Sequence, residues 1–342
     1  MRRISEQDLQ HVLDNVKDFA GQLKNKSIFV TGATGFFGKW LLETFIYIND
    51  KLSLNAKVCA LSRSPEAFLN EYPFYKTEVS ISFIKGDIQT FDFPSEDFQF
   101  IIHAATDADA KLNDENPLLM LDTITIGTKR ILDFARTKSL KSFLLTSSGA
   151  VYGKQPADVT HIKEDESFFI DITNPASAYA EGKRIAELYC SIYHKQYNLP
   201  VKIARCFAFV GPYLPLDKHF AIGNFILNGL NNEDIIIKGD GSPYRSYLYA
   251  ADLTIWLWTI LLRGKNNVPY NVGSDVSVNI KETAVVIAKV FSNNNNIKVL
   301  SKLSNLPVQR YVPDICRANT QLGLQVEINL DDAIKRTIKF YG

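Results

Sequence analysis

The apolar positions of the chain fall into two periods that alternate. Over residues 6–24, Leu9, Val12, Leu13, Val16, Phe19 and Leu23 recur at helical spacing, which predicts an amphipathic helix ahead of the first strand. A short β-branched run, "SIFV", then meets glycines and passes into a second helical pattern. "AKVCALSR" (56–63), "VSISFIKGD" (79–87) and "FQFIIHAA" (98–105) read as strands, and "TIGTKRILDFARTK" (125–138) as a helix. "SFLLTSSGAVYG" (142–153) reads as a strand running into a loop, "SAYAEGKRIAELYCSIYHKQY" (177–197) as a long helix and "VKIARCFAF" (201–209) as another strand.

The strands are continuous apolar runs rather than alternating ones, so both faces of the sheet are covered. Strand–helix alternation of this kind predicts an α/β class protein with a Rossmann-type, doubly wound parallel sheet. After about residue 206 the alternation breaks at Pro212, Pro215, Pro243 and Pro269, which predicts a smaller C-terminal lobe, a substrate-binding lobe by the family resemblance set out below. The expected division is the N-terminal helix plus the Rossmann-type domain over 1–205, rejoined by 241–275, with 206–240 and 276–342 forming the lobe. "LTIWLWTILL" (253–262) is too short to span a bilayer and reads as a core helix; "SNNNN" (292–296) reads as an exposed loop.

Bulk properties narrow the possible partners. With 342 residues, 46% hydrophobic, and a formal net charge of +1, the chain is large enough for a sizeable core and carries no basic field for nucleic acid. Cys59, Cys190, Cys206 and Cys316 form no CxxC pair and have no histidine at metal-ligand spacing, so free thiols and no metal are expected. No apolar run follows the N-terminal arginines, so the expected setting is cytoplasmic, with no membrane partner.

The chemistry concentrates in a few stretches. "VTGATGFFG" places Gly32, Gly35 and Gly38 at three-residue spacing between a strand and a helix. Glycines there let the backbone turn tightly and approach a pyrophosphate, whose charge meets the helix N-terminus. The predicted cofactor contacts in this loop are Thr31, Gly32, Thr34, Gly35, Phe36, Phe37 and Gly38. The second strand ends in Ser62 and Arg63, where NAD-preferring Rossmann proteins carry an acid. Arginine suits a 2′-phosphate, so NADP(H) is favoured, with NAD(H) still open. Tyr179 precedes Lys183 by one helical turn, so an ammonium can sit beside a phenol.

Together these motifs resemble the extended short-chain dehydrogenase/reductases, in the branch of NAD(P)-dependent nucleotide-sugar epimerases, dehydratases and ketoreductases. The family pattern TGxxGxxG falls on Thr31 to Gly38, its Tyr-x-x-x-Lys on Tyr179 and Lys183, and its Ser/Thr loop on "TSSGAVYG". The resemblance implies that Asp87 and Ile88 hold adenine, and that Ala104 and Ala105 line the cofactor beside His103. It implies that Tyr179, which also touches the cofactor with Lys183, transfers the proton, that Lys183 lowers its pKa, and that Ser148 binds the same substrate oxygen. Ser148, Gly149, Asn224, Arg245 and Arg310 are the implied substrate contacts, the arginines gripping a diphosphate. Ala208 in "RCFAFVGP" departs from the family, which has asparagine there on a phosphate.

In the resembling 4,6-dehydratases an Asp-Glu pair follows the catalytic Ser/Thr; here those places hold Gly149 and Ala150, which move no proton. The leading expectation is therefore NADPH-dependent reduction of the C4 ketone of a nucleotide-linked (dTDP-) 4-keto-6-deoxyhexose, in cell-surface polysaccharide synthesis. An NAD-dependent nucleotide-sugar 4-epimerase is the alternative, and a non-catalytic dinucleotide sensor the third. The resemblance also implies a homodimer built on two long helices per subunit.

Overall fold

The computed structural model describes residues 2–106, 110–218, 220–291, 296–302 and 307–342. Six consecutive strands form as the apolar runs predict: β1 Ser27–Thr31, β2 Lys57–Ser62, β3 Ile81–Lys85, β4 Phe100–His103, β5 Ser142–Ser148 and β6 Val201–Cys206. A later strand, Pro269–Val272, joins them in one seven-stranded sheet. From one edge the order is Pro269–Val272, β6, β5, β4, β1, β2, β3, and every pairing is parallel. The order reverses between β1 and β4, so the crevice beyond their carboxyl ends is where ligands bind in sheets of this kind.

The helices are α1 Glu6–Ala20, α2 Phe36–Lys51, α3 Pro65–Glu71, α4 Ala110–Glu115, α5 Pro117–Ala135, α6 Ala178–Tyr197, α7 Ala221–Leu230 and α8 Ala250–Arg263, with others further on. Successive strand residues point to opposite faces, and each face has its own core. Ile28, Val30, Val58, Ile102 and Leu144 pack with Trp40 and Phe45 of α2 and Leu253 and Leu257 of α8. Phe29, Leu61, Ile101, Phe143 and Ile203 pack with Ile124, Ile131 and Phe134 of α5 and Ala186 and Cys190 of α6. The expected core helix 253–262 is α8, buried almost throughout.

Element ends differ from the periodicity where local chemistry intervenes. The first helix stops at Ala20 and continues as a 3₁₀ turn, Gly21–Leu23. The predicted helix 125–138 begins earlier, at Pro117, whose fixed φ suits a first helical position. Pro65 likewise opens α3, which the periodicity did not show. The predicted strand 201–209 divides: β6 ends at Cys206, and Phe209–Val210 pairs with Leu248–Tyr249 in a separate two-stranded sheet. The loop expected at 292–296 falls, for residues 292–295, outside the described residues.

Two further small sheets lie in the later part of the chain. Tyr244–Arg245 pairs with Val278–Asn279 on one side and Arg310–Tyr311 on the other, and Ile235–Ile237 pairs with Ile297–Val299. Buried Asp8 of α1 ties the N-terminal helix to later parts of the chain. It accepts from Tyr249 Oη (2.9 Å) and from Arg336 Nη1 (2.5 Å).

Candidate active site

The glycine loop joins β1 to α2 at the sheet's reversal point. Gly32 has φ +72°, and a Cβ there would lie 2.3 Å from the Ala104 carbonyl oxygen at the end of β4. A Cβ on Gly38 would lie 2.3 Å from the Ala33 carbonyl. Both glycines are thus required by the chain's own packing. Gly35 is different: it is exposed, and its nearest neighbour would be the Gly32 oxygen at 3.5 Å. Its bareness leaves the N-terminus of α2 open for a close-approaching anion, which is what a dinucleotide pyrophosphate requires. The loop therefore fits NAD(P), whose nicotinamide, when bound, supplies the hydride acceptor.

Side chains tie this loop to β4. Thr31 Oγ1 lies 2.8 Å from His103 Nδ1 and accepts from the Ala105 N–H at 3.3 Å. His103 Nε2 meets Thr128 Oγ1 at 3.2 Å. Burial, with Lys183 adding to it, pushes the imidazole down to about 3, so His103 is neutral and serves as a strut. Thr34, Phe36 and Phe37 are half-buried, with the Phe37 ring edge-on to Phe209 at 5.2 Å. Ser62 ends β2 with exposed Arg63 just after it, and Asp87 follows β3, its carboxylate accepting from the Gln89 N–H at 2.9 Å. Ile88 is buried against Gly127 of α5. Because the sheet is parallel, all these groups lie beyond the same edge.

The contrast between the glycines gives a prediction. Gly32→Ala puts a side chain into carbonyl contact at a positive φ and should lower the melting temperature by several degrees, since roughly 1–3 kcal/mol is at stake. Gly35→Ala should leave the melting temperature nearly unchanged while weakening NADH binding in a fluorescence titration. Equal melting losses in the two variants would show that Gly35 is also structural.

Tyr179 and Lys183 occupy the first turns of α6, whose start is fixed where the Tyr179 N–H donates to Asn113 Oδ1 (3.0 Å). Lys183 Nζ is buried and donates to the Thr146 carbonyl (2.9 Å) and to Thr106 Oγ1 (3.2 Å), lying 5.9 Å from the Tyr179 ring centroid. Burial brings its ammonium down to about 8. Ser148, the last residue of β5, is buried, and its Oγ accepts from the Ala150 N–H at 3.1 Å.

Tyr179 is raised to about 12 by burial, with contact from Ser148 drawing it partly back. In the protein alone the phenol therefore stands above its ordinary value, whatever the neighbouring ammonium contributes. The ammonium is spent on Thr146 and Thr106, and burial decides the direction. A cationic nicotinamide would favour the phenolate.

On the other side of Ser148 stand two residues that motif reading missed. A Cβ on Gly149 would lie 2.6 Å from Tyr311 Oη and 2.8 Å from Phe207 Cζ, so those two rings fill the space of a side chain at this position. The rings lie tilted at 34° with centroids 4.7 Å apart. Tyr311 also lines a cavity of about 370 Å³ together with Lys154, Arg245 and Arg310. Arg245 and Tyr311 are register partners on adjacent strands, and the Arg310 guanidinium lies 4.3 Å over the Tyr244 ring. The two expected arginines are therefore brought together in one cavity, with Lys154 as a third cation. Asn224 sits on the first turn of α7 and does not line this cavity. Tyr311 carries no motif signal, because only the pairing of residues 244–245 with 310–311 carries it to Ser148.

A dinucleotide loop at the sheet reversal, with a Ser–Tyr–Lys set beside it, defines a Rossmann-type enzyme of the extended short-chain dehydrogenase/reductase fold. The chain belongs to the NAD dependent epimerase/dehydratase family, whose profile matches residues 28–273. It is 28% identical over 325 residues to UDP-glucuronic acid decarboxylase 1 of Danio rerio, spanning 95% of this chain and 74% of that protein. It is 31% identical over 242 residues to UDP-glucuronic acid decarboxylase 2 of Arabidopsis thaliana, spanning 70% of this chain and 53% of the relative. Its fold is shared with a UDP-glucuronic acid 4-epimerase of Bacillus cereus solved with UDP-glucuronic acid and NAD. That match has a TM-score of 0.78 and 22% identity, covering 92% of this chain and 98% of the other.

Proposed function

We propose that the protein moves a hydride and a proton at C4 of the hexose in a nucleoside-diphosphate sugar, without eliminating water. The carrying observation is the wall beside Ser148. Gly149 and Ala150 offer no acid or base, and the space a side chain would take is filled by Phe207 and Tyr311. What remains is chemistry at one carbon. Tyr179 takes or returns the C4 hydroxyl proton, Ser148 holds the same oxygen, and the Lys183 ammonium braces the site from below. Arg245, Arg310 and Lys154 receive the diphosphate, guanidinium forks matching phosphate oxygens.

The net reaction proposed is 4-epimerisation of a UDP-hexose with the cofactor recycled as NAD, the hydride returning to the opposite face of the ketone. The NAD-dependent family and the UDP-sugar relatives support this reading. The NADPH-dependent reduction of a 4-keto-6-deoxyhexose is the second reading, favoured by Ser62 and Arg63 standing where an acid would select NAD.

The test incubates purified protein with UDP-glucose, UDP-N-acetylglucosamine and UDP-glucuronic acid and identifies products by NMR. C4 epimers support the first reading. NADPH consumption with dTDP-4-keto-6-deoxyglucose, and no epimers, transfers the assignment to the second. Formation of a 4-keto-6-deoxy sugar from a nucleotide-glucose would overturn the exclusion of elimination. Loss of carbon dioxide from UDP-glucuronic acid would move the protein to the decarboxylases, since oxidation at C4 places a ketone β to that carboxylate.

We also infer a homodimer through α5 and α6. Leu118, Leu119, Ile126, Leu188 and Ile192 on these helices are all exposed, an apolar stripe of the kind that marks association surfaces. Ile126→Glu combined with Leu188→Glu should convert the dimer to monomer in light scattering after size exclusion. A wild-type protein that elutes as a monomer would defeat the inference.

A further inference from the structure

Asn271 is fully buried on Pro269–Val272, the strand at one edge of the seven-stranded sheet. Its Nδ2 donates to the Ile162 carbonyl at 2.8 Å and to the Asp314 carbonyl at 2.9 Å. Carbonyls only accept, so these two partners fix which amide atom is the nitrogen. Oδ1 accepts from Tyr152 Oη at 2.6 Å. The backbone N–H donates to Glu164 Oε1 at 3.0 Å. The partners of the amide belong to different parts of the site. Tyr152 ends the turn Gly149–Tyr152, which follows Ser148 directly. It also precedes Lys154 and Gln155, which line the cationic cavity. Asp314 lies three residues after Tyr311, which lines the same cavity with Arg310. Ile162 stitches the two stretches together: its N–H donates to the Val312 carbonyl at 2.9 Å, and its carbonyl accepts from the Asp314 N–H at 2.8 Å. Gln155 Oε1 adds a bond from the Val312 N–H at 3.2 Å.

We propose that Asn271 is a positioning residue for the proposed C4 chemistry: it holds the cationic cavity and the Ser148 turn in register against the edge of the main sheet. A sugar anchored by its diphosphate then presents C4 to Ser148 and Tyr179. The register matters because the diphosphate is gripped away from the reacting carbon, and a misplacement of about 1 Å can cost about 100-fold in rate. The amide suits the task. It donates twice from one end and accepts at the other, so one side chain serves two carbonyls and a phenol. The two ends do separate work. Oδ1 ties the Ser148 turn to the sheet, and Nδ2 ties the stretch that carries Arg310. This inference rests on the proposed function, through the reading of the cavity as the diphosphate site and the roles of Ser148 and Tyr179.

The experiment breaks the two ties separately. Asn271→Asp keeps the shape and the acceptor for Tyr152 but removes both donations to the Ile162 and Asp314 carbonyls. It should raise the Kd for UDP in calorimetry by about tenfold, as loss of a hydrogen bond implies, while NADH affinity in a fluorescence titration changes by less than about twofold. With UDP-glucose, KM should rise by more than kcat falls. Tyr152→Phe removes the tie to the Ser148 turn and leaves both carbonyl bonds. It should lower kcat by about tenfold with the Kd for UDP little changed. A packing role alone would lower the melting temperature without this division. Unchanged UDP affinity in folded Asn271→Asp, or equal losses of UDP and NADH, overturns the proposal. Where Asn271→Asp does not fold, Tyr152→Phe decides: a lowered kcat with UDP binding kept supports the proposal, and a wild-type kcat or a UDP loss as large as the kcat loss overturns it. Arg310→Ala tests the reading beneath. If UDP binds that variant as tightly as the wild type, the diphosphate site itself is misassigned, whatever Asn271 does.

Discussion

Tyr179→Phe is expected to cut turnover by about 100- to 10,000-fold, the usual contribution of a general acid–base group. The ring, which packs against the core between α5, α6 and the sheet, is retained. Lys183 keeps its bonds to Thr146 and Thr106, so its ammonium stays in place. The glycine loop is untouched, and NAD(H) should bind the variant with near wild-type affinity. Only the proton-transferring oxygen is lost. The measurement is kcat on whichever nucleotide sugar the wild type converts, paired with a cofactor titration and a melting curve. A folded variant that binds cofactor and still turns over at a near wild-type rate would remove Tyr179 from the mechanism.

What could be read from the sequence follows how local each feature is. The parallel sheet was legible because every strand is a continuous apolar run flanked by helical periods, as in "FIIH" and "SFLLTSS". Gly32, Gly35 and Gly38 were legible as a set, but not their division of labour. Only the approach of Ala104 to Gly32 and of Ala33 to Gly38 shows that two are demanded by packing. Tyr179 and Lys183 share a helix face, so their proximity needed no tertiary information. The direction of the Tyr179 shift did need it, because burial and the diversion of Lys183 to Thr146 arise only on folding. Tyr311 was illegible for the same reason. It lies 163 residues after Ser148 (311 − 148), and a two-residue strand pairing brings it there. The break after Cys206 was hidden because "RCFAFV" remains apolar across the point where the chain leaves the main sheet for the Leu248–Tyr249 strand.

Glu187→Leu should destabilise the fold by about 3–5 kcal/mol, the cost of leaving a buried charge without its partner. Glu187 projects from α6 and Arg205 from β6, their side chains only 12% and 14% exposed. The carboxylate accepts from Arg205 Nε at 3.0 Å, from Arg205 Nη2 at 2.7 Å and from Ser147 Oγ at 2.6 Å. It therefore ties α6, which carries Tyr179 and Lys183, to β5 at the residue before Ser148. Arg205 has further partners, the Glu164 carbonyl at 2.8 Å and the Tyr152 ring at 4.8 Å, but neither is an anion that could neutralise it. Arg205→Met with Glu187→Leu removes both charges and should recover much of the lost stability, because an apolar pair of similar volume carries no desolvation cost. The readout is urea denaturation of the wild type, both single variants and the double variant, closed as a cycle. A coupling energy near zero would show that the two side chains are stabilised independently, and the bracing of Ser148 by α6 would then have to run through Lys183 and Thr146 alone.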